Sequence, residues 1–132
     1  LRIDQTQTTR AANAGLQDKG PPVFHSLVLD CDTAFRAGSS GVTAADTQAI
    51  FGAGANNNSN FTSTLSMTYI NGTNENAVAA FDPKALSSFF DTVTYVGAVR
   101  NAADNWDEGW TCNSATASFG TNNGACTSLP VY

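Results

Sequence analysis

Apolar positions along this chain come in short clusters separated by long polar stretches. The clearest is Val23-Phe24-His25-Ser26-Leu27-Val28-Leu29-Asp30, aliphatic and β-branched, which follows Pro21-Pro22 and ends in a Cys-Asp-Thr turn. That pattern predicts a strand, and its near-continuous apolar content predicts burial on both faces. From Phe61 to Ile70, Leu65, Met67 and Tyr69 alternate with Ser and Thr, the period of a half-buried strand, with Asn71-Gly72 as its turn. A third strand is read over residues 92–99, apolar at Val93, Tyr95 and Val99. Two short helices interrupt this β pattern. Thr43 and Asp46 supply a cap for a helix that buries Val42, Ile50 and Phe51 and stops before Gly52. Asp82 as N-cap and Pro83 at the first helical position open a second over residues 83–90, with Leu86, Phe89 and Phe90 as its apolar stripe. The expected class is mainly β with two short helices.

Composition changes that picture in one respect: the core is thin. Leu, Ile, Val and Phe make only 26 of 132 residues, whereas Ala, Thr, Asn and Gly make 60. Disorder would also require high net charge, and here charged residues are 13% with a net of −5, so the chain reads as one folded but weakly cored domain that leans on a neighbour, or as a fragment. It starts at Leu1 rather than Met, which fits a processed product or a piece of a longer chain. The small, turn-forming residues are those of secreted β proteins with many short strands. Six scattered basic residues form no stripe for phosphates, which argues against nucleic acid, and no apolar run is long enough to span a bilayer.

Cys112 and Cys126 bracket the 13-residue Ser/Thr/Asn/Gly-rich loop 113–125. The spacing suits a disulfide better than zinc, which wants closer cysteine pairs and accessory histidines, and His25 is the only histidine. Free buried thiols are the rival reading. An oxidising, extracytoplasmic address follows from the disulfide: extracellular or on the outer cell surface. Cys31 is then the odd cysteine, left as a buried thiol, bridged between chains or bridged to a residue upstream of Leu1; with Asp30 and Asp32 beside it, its thiolate is disfavoured and it makes a poor nucleophile.

Other constellations are weak. His25 and Ser26 are adjacent, but on a strand they point to opposite faces, so they form no catalytic pair. Asp104, Asp107 and Glu108 could offer oxygens to calcium but lack the spacing of a dedicated loop; a solvated acidic turn is the simpler reading, and no cofactor is expected. Eleven acidic residues leave room for a glycosidase-like pair that nothing places. Trp106 and Trp110, with Tyr95, form either an aromatic cap on the core or a platform for stacking sugars. Three Asn-x-Ser/Thr sequons, at Asn57, Asn60 and Asn71, would all be surface sites in a glycosylating host.

The run Phe89-Phe90-Asp91-Thr92-Val93-Thr94-Tyr95-Val96-Gly97-Ala98-Val99, then Asp104-Asn105-Trp106 and Gly109-Trp110-Thr111-Cys112, resembles the C-terminal end of bacterial right-handed parallel β-helix surface proteins of hypothetical or lipoprotein type. The likeness covers roughly residues 23–126. It implies that residues 1–35 are the last β-helical rungs and 36–132 a C-terminal cap with the 112–126 disulfide loop; the alternative is a small irregular β domain. It also implies a partner, either the upstream β-helical part of the same protein or identical subunits, and a structural or interaction role without chemistry of its own. Carbohydrate binding, a part in polysaccharide degradation and self-assembly into a fibre or complex are the competing functions. No catalytic residue transfers from the resemblance.

Overall fold

The capped helix is where sequence and structure agree best. In the computed structural model, α1 spans Thr6–Thr9, α2 spans Ala44–Gly52 and α3 spans Thr73–Asn76, with 3-10 turns at Pro83–Ala85 and Cys126–Ser128. The structure describes residues 1–13, 15, 19–104, 106–107, 111–115, 118–119 and 123–128. Helix α2 begins at a reciprocal cap: the Thr43 hydroxyl accepts from the Asp46 backbone N–H at 3.1 Å, and the Asp46 carboxylate accepts from the Thr43 N–H at 2.8 Å. These bonds hold the Asp46 carboxyl below its usual range.

No β-strand exists among the described residues, which overturns the mainly β expectation, the β-helical rungs and cap, and the small β domain alike. What remains of sheet is a set of isolated bridges: Arg2 with Arg36, Val28 with Asn58, Ile70 with Val99 and Asn113 with Ala125, all parallel, and Ser66 with Ile70, antiparallel. The reason is backbone geometry. Ser26 sits at φ 54°, in the middle of the first predicted strand, and Met67 and Thr68 sit at φ 52° and 71° in the second, so both chains bend out of the extended form. The alternating Leu65-Met67-Tyr69 pattern therefore folds back on itself, with the Ser66 N–H donating to Ile70 O and the Ile70 N–H to Ser66 O. Leu65 and Met67 are exposed. In the third, Gly97 takes φ 86°. Residues 23–29 are not buried on both faces either: Val23 is exposed and the rest are half-buried.

The chain divides into two compact units, one of Leu1–Thr62 with Ala79–Thr94 and the other of Ser63–Val78 with Tyr95–Tyr132. Each is built from two separate stretches of sequence.

The first unit has a small apolar core. Ile3, Val42 and Ile50 are buried together with Phe24 against them, and Phe51, also buried, meets Phe35 edge-on with ring centroids 5.2 Å apart. Thr47 is fully buried on α2, its hydroxyl turned back to Thr43 O. Where a sheet ladder would satisfy the backbone, Asn57 does so instead. Its Nδ2 donates to Phe24 O and Phe51 O, both at 2.7 Å, and its Oδ1 accepts from the Leu27 N–H at 2.9 Å. A Cβ on Gly54 would lie 1.7 Å from Phe24 O, so no larger residue fits where these segments meet.

The second unit is organised around polar groups. The Glu75 carboxylate is buried and accepts from the Ser63 hydroxyl at 2.9 Å, the Thr64 N–H at 2.8 Å, the Thr64 hydroxyl at 2.7 Å and the Gly72 N–H at 3.0 Å. Burial opposes its charge, but the bonds from Thr64 and Ser63 outweigh that cost and lower its pKa to about 2. Asn71, also buried, donates its N–H to Val99 O at 2.9 Å and its Nδ2 to Val96 O at 2.7 Å. Ile70 and Val99 are the buried apolar residues described here. The Cys112–Cys126 disulfide closes the C-terminal loop, with the Asn113 N–H donating to Gly124 O and the Cys126 N–H to Asn113 O.

Candidate functional site

The feature that departs furthest from ordinary packing is the segment of residues 84–94, every one of which is exposed. It carries four large apolar side chains: Leu86 at 71% exposure, Phe89 at 87%, Phe90 at 43% and Val93 at 39%. Their spacing predicts Leu86, Phe89 and Phe90 as the apolar stripe of a helix over 83–90. Only Pro83–Ala85 are helical, as a single 3-10 turn.

Local chemistry explains the early stop. Asp82 caps the turn by accepting from the Lys84 N–H at 3.0 Å, and the Ala85 and Leu86 N–H groups close onto Asp82 O and Pro83 O. Ser87 then competes for the next donors: its hydroxyl accepts from the Phe89 N–H and its carbonyl from the Phe90 N–H, both at 3.2 Å. A serine bonding forward in this way turns the chain out of the helix. Phe89 and Phe90 pack edge-to-face, with centroids 5.4 Å apart, so each ring shields part of the other while much of both still meets water. Lys84 and Asp91 flank Leu86, Phe89 and Phe90 in sequence. Residues 91–94 take part in no bridge.

The residues singled out from sequence fall elsewhere. His25 stacks on Phe81 with centroids 4.2 Å apart, and its Nδ1 accepts from the Ala55 N–H at 3.0 Å. The Ser26 hydroxyl donates to Ala79 O at 2.7 Å, so the two neighbours serve the backbone and neither activates the other. Cys31 is exposed rather than buried, and its thiol lies 3.7 Å from Thr33 O. Trp106 is 51% exposed, its indole N–H donating to Ala98 O at 2.9 Å. Tyr95 is half-buried, with the Arg100 guanidinium 5.6 Å from its ring centroid. Trp110 lies outside the described residues, as does Glu108.

Of the other acidic residues, Asp104 accepts from the Arg100 N–H at 3.2 Å, which makes it a turn cap. Asp107 is buried; its carbonyl accepts from the Thr111 N–H and hydroxyl, and its Oδ2 has no hydrogen-bond partner among the described residues. Among the described residues no group of three or more His, Cys, Asp or Glu side chains is gathered as metal ligands would be. Two of the three sequon asparagines are not surface sites. Asn57 and Asn71 give their amide nitrogens to backbone carbonyls inside their units, whereas Asn60 is exposed.

Sequence reasoning missed Glu75, Asn57 and Asn71 as the groups that organise the chain. The Gly72-Thr73-Asn74-Glu75 spacing carried half of a capping-box signal for Glu75. Asn57 lies in a tract whose composition reads as an exposed loop, and nothing in it marks one asparagine above its neighbours.

Comparison with known proteins adds no relative: no family model, no curated protein and no solved structure matches this chain.

Proposed function

We propose that this chain is a non-catalytic, extracytoplasmic structural or interaction module of a bacterial surface or secreted protein, and that residues 84–94 are its working surface. The observation that carries the reading is the exposure of Leu86, Phe89, Phe90 and Val93 on one continuous segment. Large apolar side chains gathered on one exposed segment are a mark of interaction sites. The Cys112–Cys126 disulfide is compatible with an extracellular address, and no helix among the described residues is long and apolar enough to cross a membrane. His25 and Ser26, the neighbours that could suggest hydrolysis, are each committed to a backbone partner.

Hydrogen exchange tests the reading directly. In the isolated chain at low concentration the amides of residues 91–94 exchange freely and those of 84–90 have only the protection of their local turn bonds, and both groups become more protected in the natively produced protein on its cell or in its secreted form. Equal exchange in both settings sinks the proposal. Turnover of polysaccharides or esters that a single acidic or Ser26 substitution abolishes sinks its non-catalytic part.

A carbohydrate-binding role is a second reading, favoured by one observation: the half-exposed Trp106 indole is pinned by its bond to Ala98 O, as a stacking platform requires. Calorimetric binding of soluble oligosaccharides, lost in Trp106→Ala, would promote it over the first.

A further inference from the structure

We propose that Asn60 is this chain's acceptor for an N-linked glycan, and that the fold closes the other two Asn-x-Ser/Thr sequons to the same modification. The donor is an oligosaccharide carried on a polyprenyl diphosphate, and the catalyst is an oligosaccharyltransferase. In the transfer Asn60 Nδ2 bonds to the anomeric carbon of the sugar, the bond from that carbon to the diphosphate oxygen breaks, the diphosphate leaves with the electron pair, and the nitrogen gives up one proton. The step asks three things of an asparagine: a Ser or Thr two residues on, a side-chain nitrogen whose protons are not committed elsewhere, and space for a bulky polar group.

Asn57 meets only the first requirement, through Ser59. Both protons of its Nδ2 are given away, to Phe24 O and Phe51 O at 2.7 Å each, so a sugar on that nitrogen would take the place of one of those bonds. Space is lacking too: a Cβ on Gly54 would lie 3.3 Å from the same nitrogen and would strike Phe24 O. Asn71, with Thr73 as its hydroxyl residue, is held in a similar way. It is buried, its Nδ2 donates to Val96 O at 2.7 Å and to Asn76 Oδ1 at 3.3 Å, and a Cβ on Gly97 would lie 3.5 Å from that nitrogen.

Asn60 differs at each point. It is exposed, Thr62 two residues on is exposed as well, and the Asn60 side-chain amide donates to no described residue. The backbone beneath it is nevertheless held in place. The Asn60 N–H donates to Asn58 Oδ1 at 2.9 Å, and the Phe61 N–H donates to Leu29 O at 3.2 Å. The side chain is therefore presented to solvent from an anchored turn, and a glycan on it displaces none of the bonds that Asn57 makes in the first unit.

The test incubates the folded 132-residue chain, and separately three short synthetic peptides that each span one sequon, with a purified single-subunit oligosaccharyltransferase and a lipid-linked oligosaccharide. Glycopeptide mass then gives the rate at each asparagine. All three peptides are expected to accept the glycan. The folded chain is expected to accept it at Asn60, and at Asn57 and Asn71 at least about tenfold more slowly, because those sites must wait for local opening. Asn60→Gln removes the fast modification and leaves the thermal midpoint unchanged, since the side chain it replaces is exposed. An Asn60 that stays bare in the folded chain overturns the proposal, as does a folded chain modified at Asn57 or Asn71 as fast as at Asn60. Peptides of Asn57 and Asn71 as inert as the folded sites would overturn closure by the fold.

Discussion

The two units reach order by opposite routes. In the first, Ile3, Val42, Ile50, Phe51 and Phe24 exclude water, and polar groups such as Asn57 serve the backbone around them. In the second, Ile70 and Val99 are the buried apolar residues described, and Glu75, Asn71 and the disulfide tie its segments together. The contrast shows how a chain poor in large aliphatic residues can still fold. An apolar cluster gains from contact over its whole surface, while a buried carboxylate gains only if each oxygen is matched with donors, as the four bonds to Glu75 are. The first kind of order degrades gradually on substitution. The second is expected to fail at single atoms and with pH.

Phe51→Ala is the largest expected perturbation. Loss of a buried ring costs about 3–5 kcal/mol, and urea unfolding together with hydrogen exchange should show it first in the amides of α2. Exchange that accelerates equally at residues 63–78 would mean that the two units open together, and the comparison would lose its basis.

Replacing both Cys112 and Cys126 by Ser should cost about 3 kcal/mol by chain entropy, for a bridge spanning 14 residues. The effect should match that of adding reductant to the unaltered chain, read as a fall in thermal midpoint. A smaller loss would shift weight from the disulfide to the side-chain network of Asn113 and Asn123, which donate to Asn123 O and Phe119 O.

Glu75→Ala should destabilise by about 2–3 kcal/mol, less than the ring deletion because Ser63 and Thr64 are exposed and water can replace the lost acceptor for some donors. The same carboxylate makes the unit sensitive to acid. Its pKa falls from 4.5 to about 2 on folding, so its contribution is complete above pH 4.5 and is lost as the pH falls toward 2. Glu75→Gln should flatten the stability profile across that window. If the profile of the variant keeps its slope there, another carboxylate is responsible.

Thr43→Ala is the smallest of these changes, costing about 1 kcal/mol through loss of the cap on α2, measurable as a shift in urea midpoint at constant slope. It sharpens the comparison by touching only the first unit.

Helix α2 was legible because its determinants are local: a cap, a short apolar stripe and a stop, all within eleven residues of Thr43 to Ala53. The disulfide was legible from cysteine spacing. The strands were misread because β pattern reports only that a segment could lie on a sheet, and pairing must come from elsewhere in the chain. At residues 23–30 and 61–70 those partners are side-chain amides, carboxylates and single bridges, and positive φ at Ser26, Met67 and Thr68 breaks the extension that a ladder needs. The Leu86-Phe89-Phe90 stripe was misread for a related reason. Helical spacing does not reveal that Ser87 takes the donors the helix would have used.

By itself, the sequence determined the thin apolar content, the acidic and weakly charged surface, the capped helix and the pairing of Cys112 with Cys126. Each follows from composition or from residues close together in the chain. Only the tertiary structure decided that Asn57, Asn71 and Glu75 replace sheet ladders and that Leu86, Phe89 and Phe90 face water. Those outcomes depend on which distant donor or apolar surface reaches a given side chain, and a linear pattern carries no record of that.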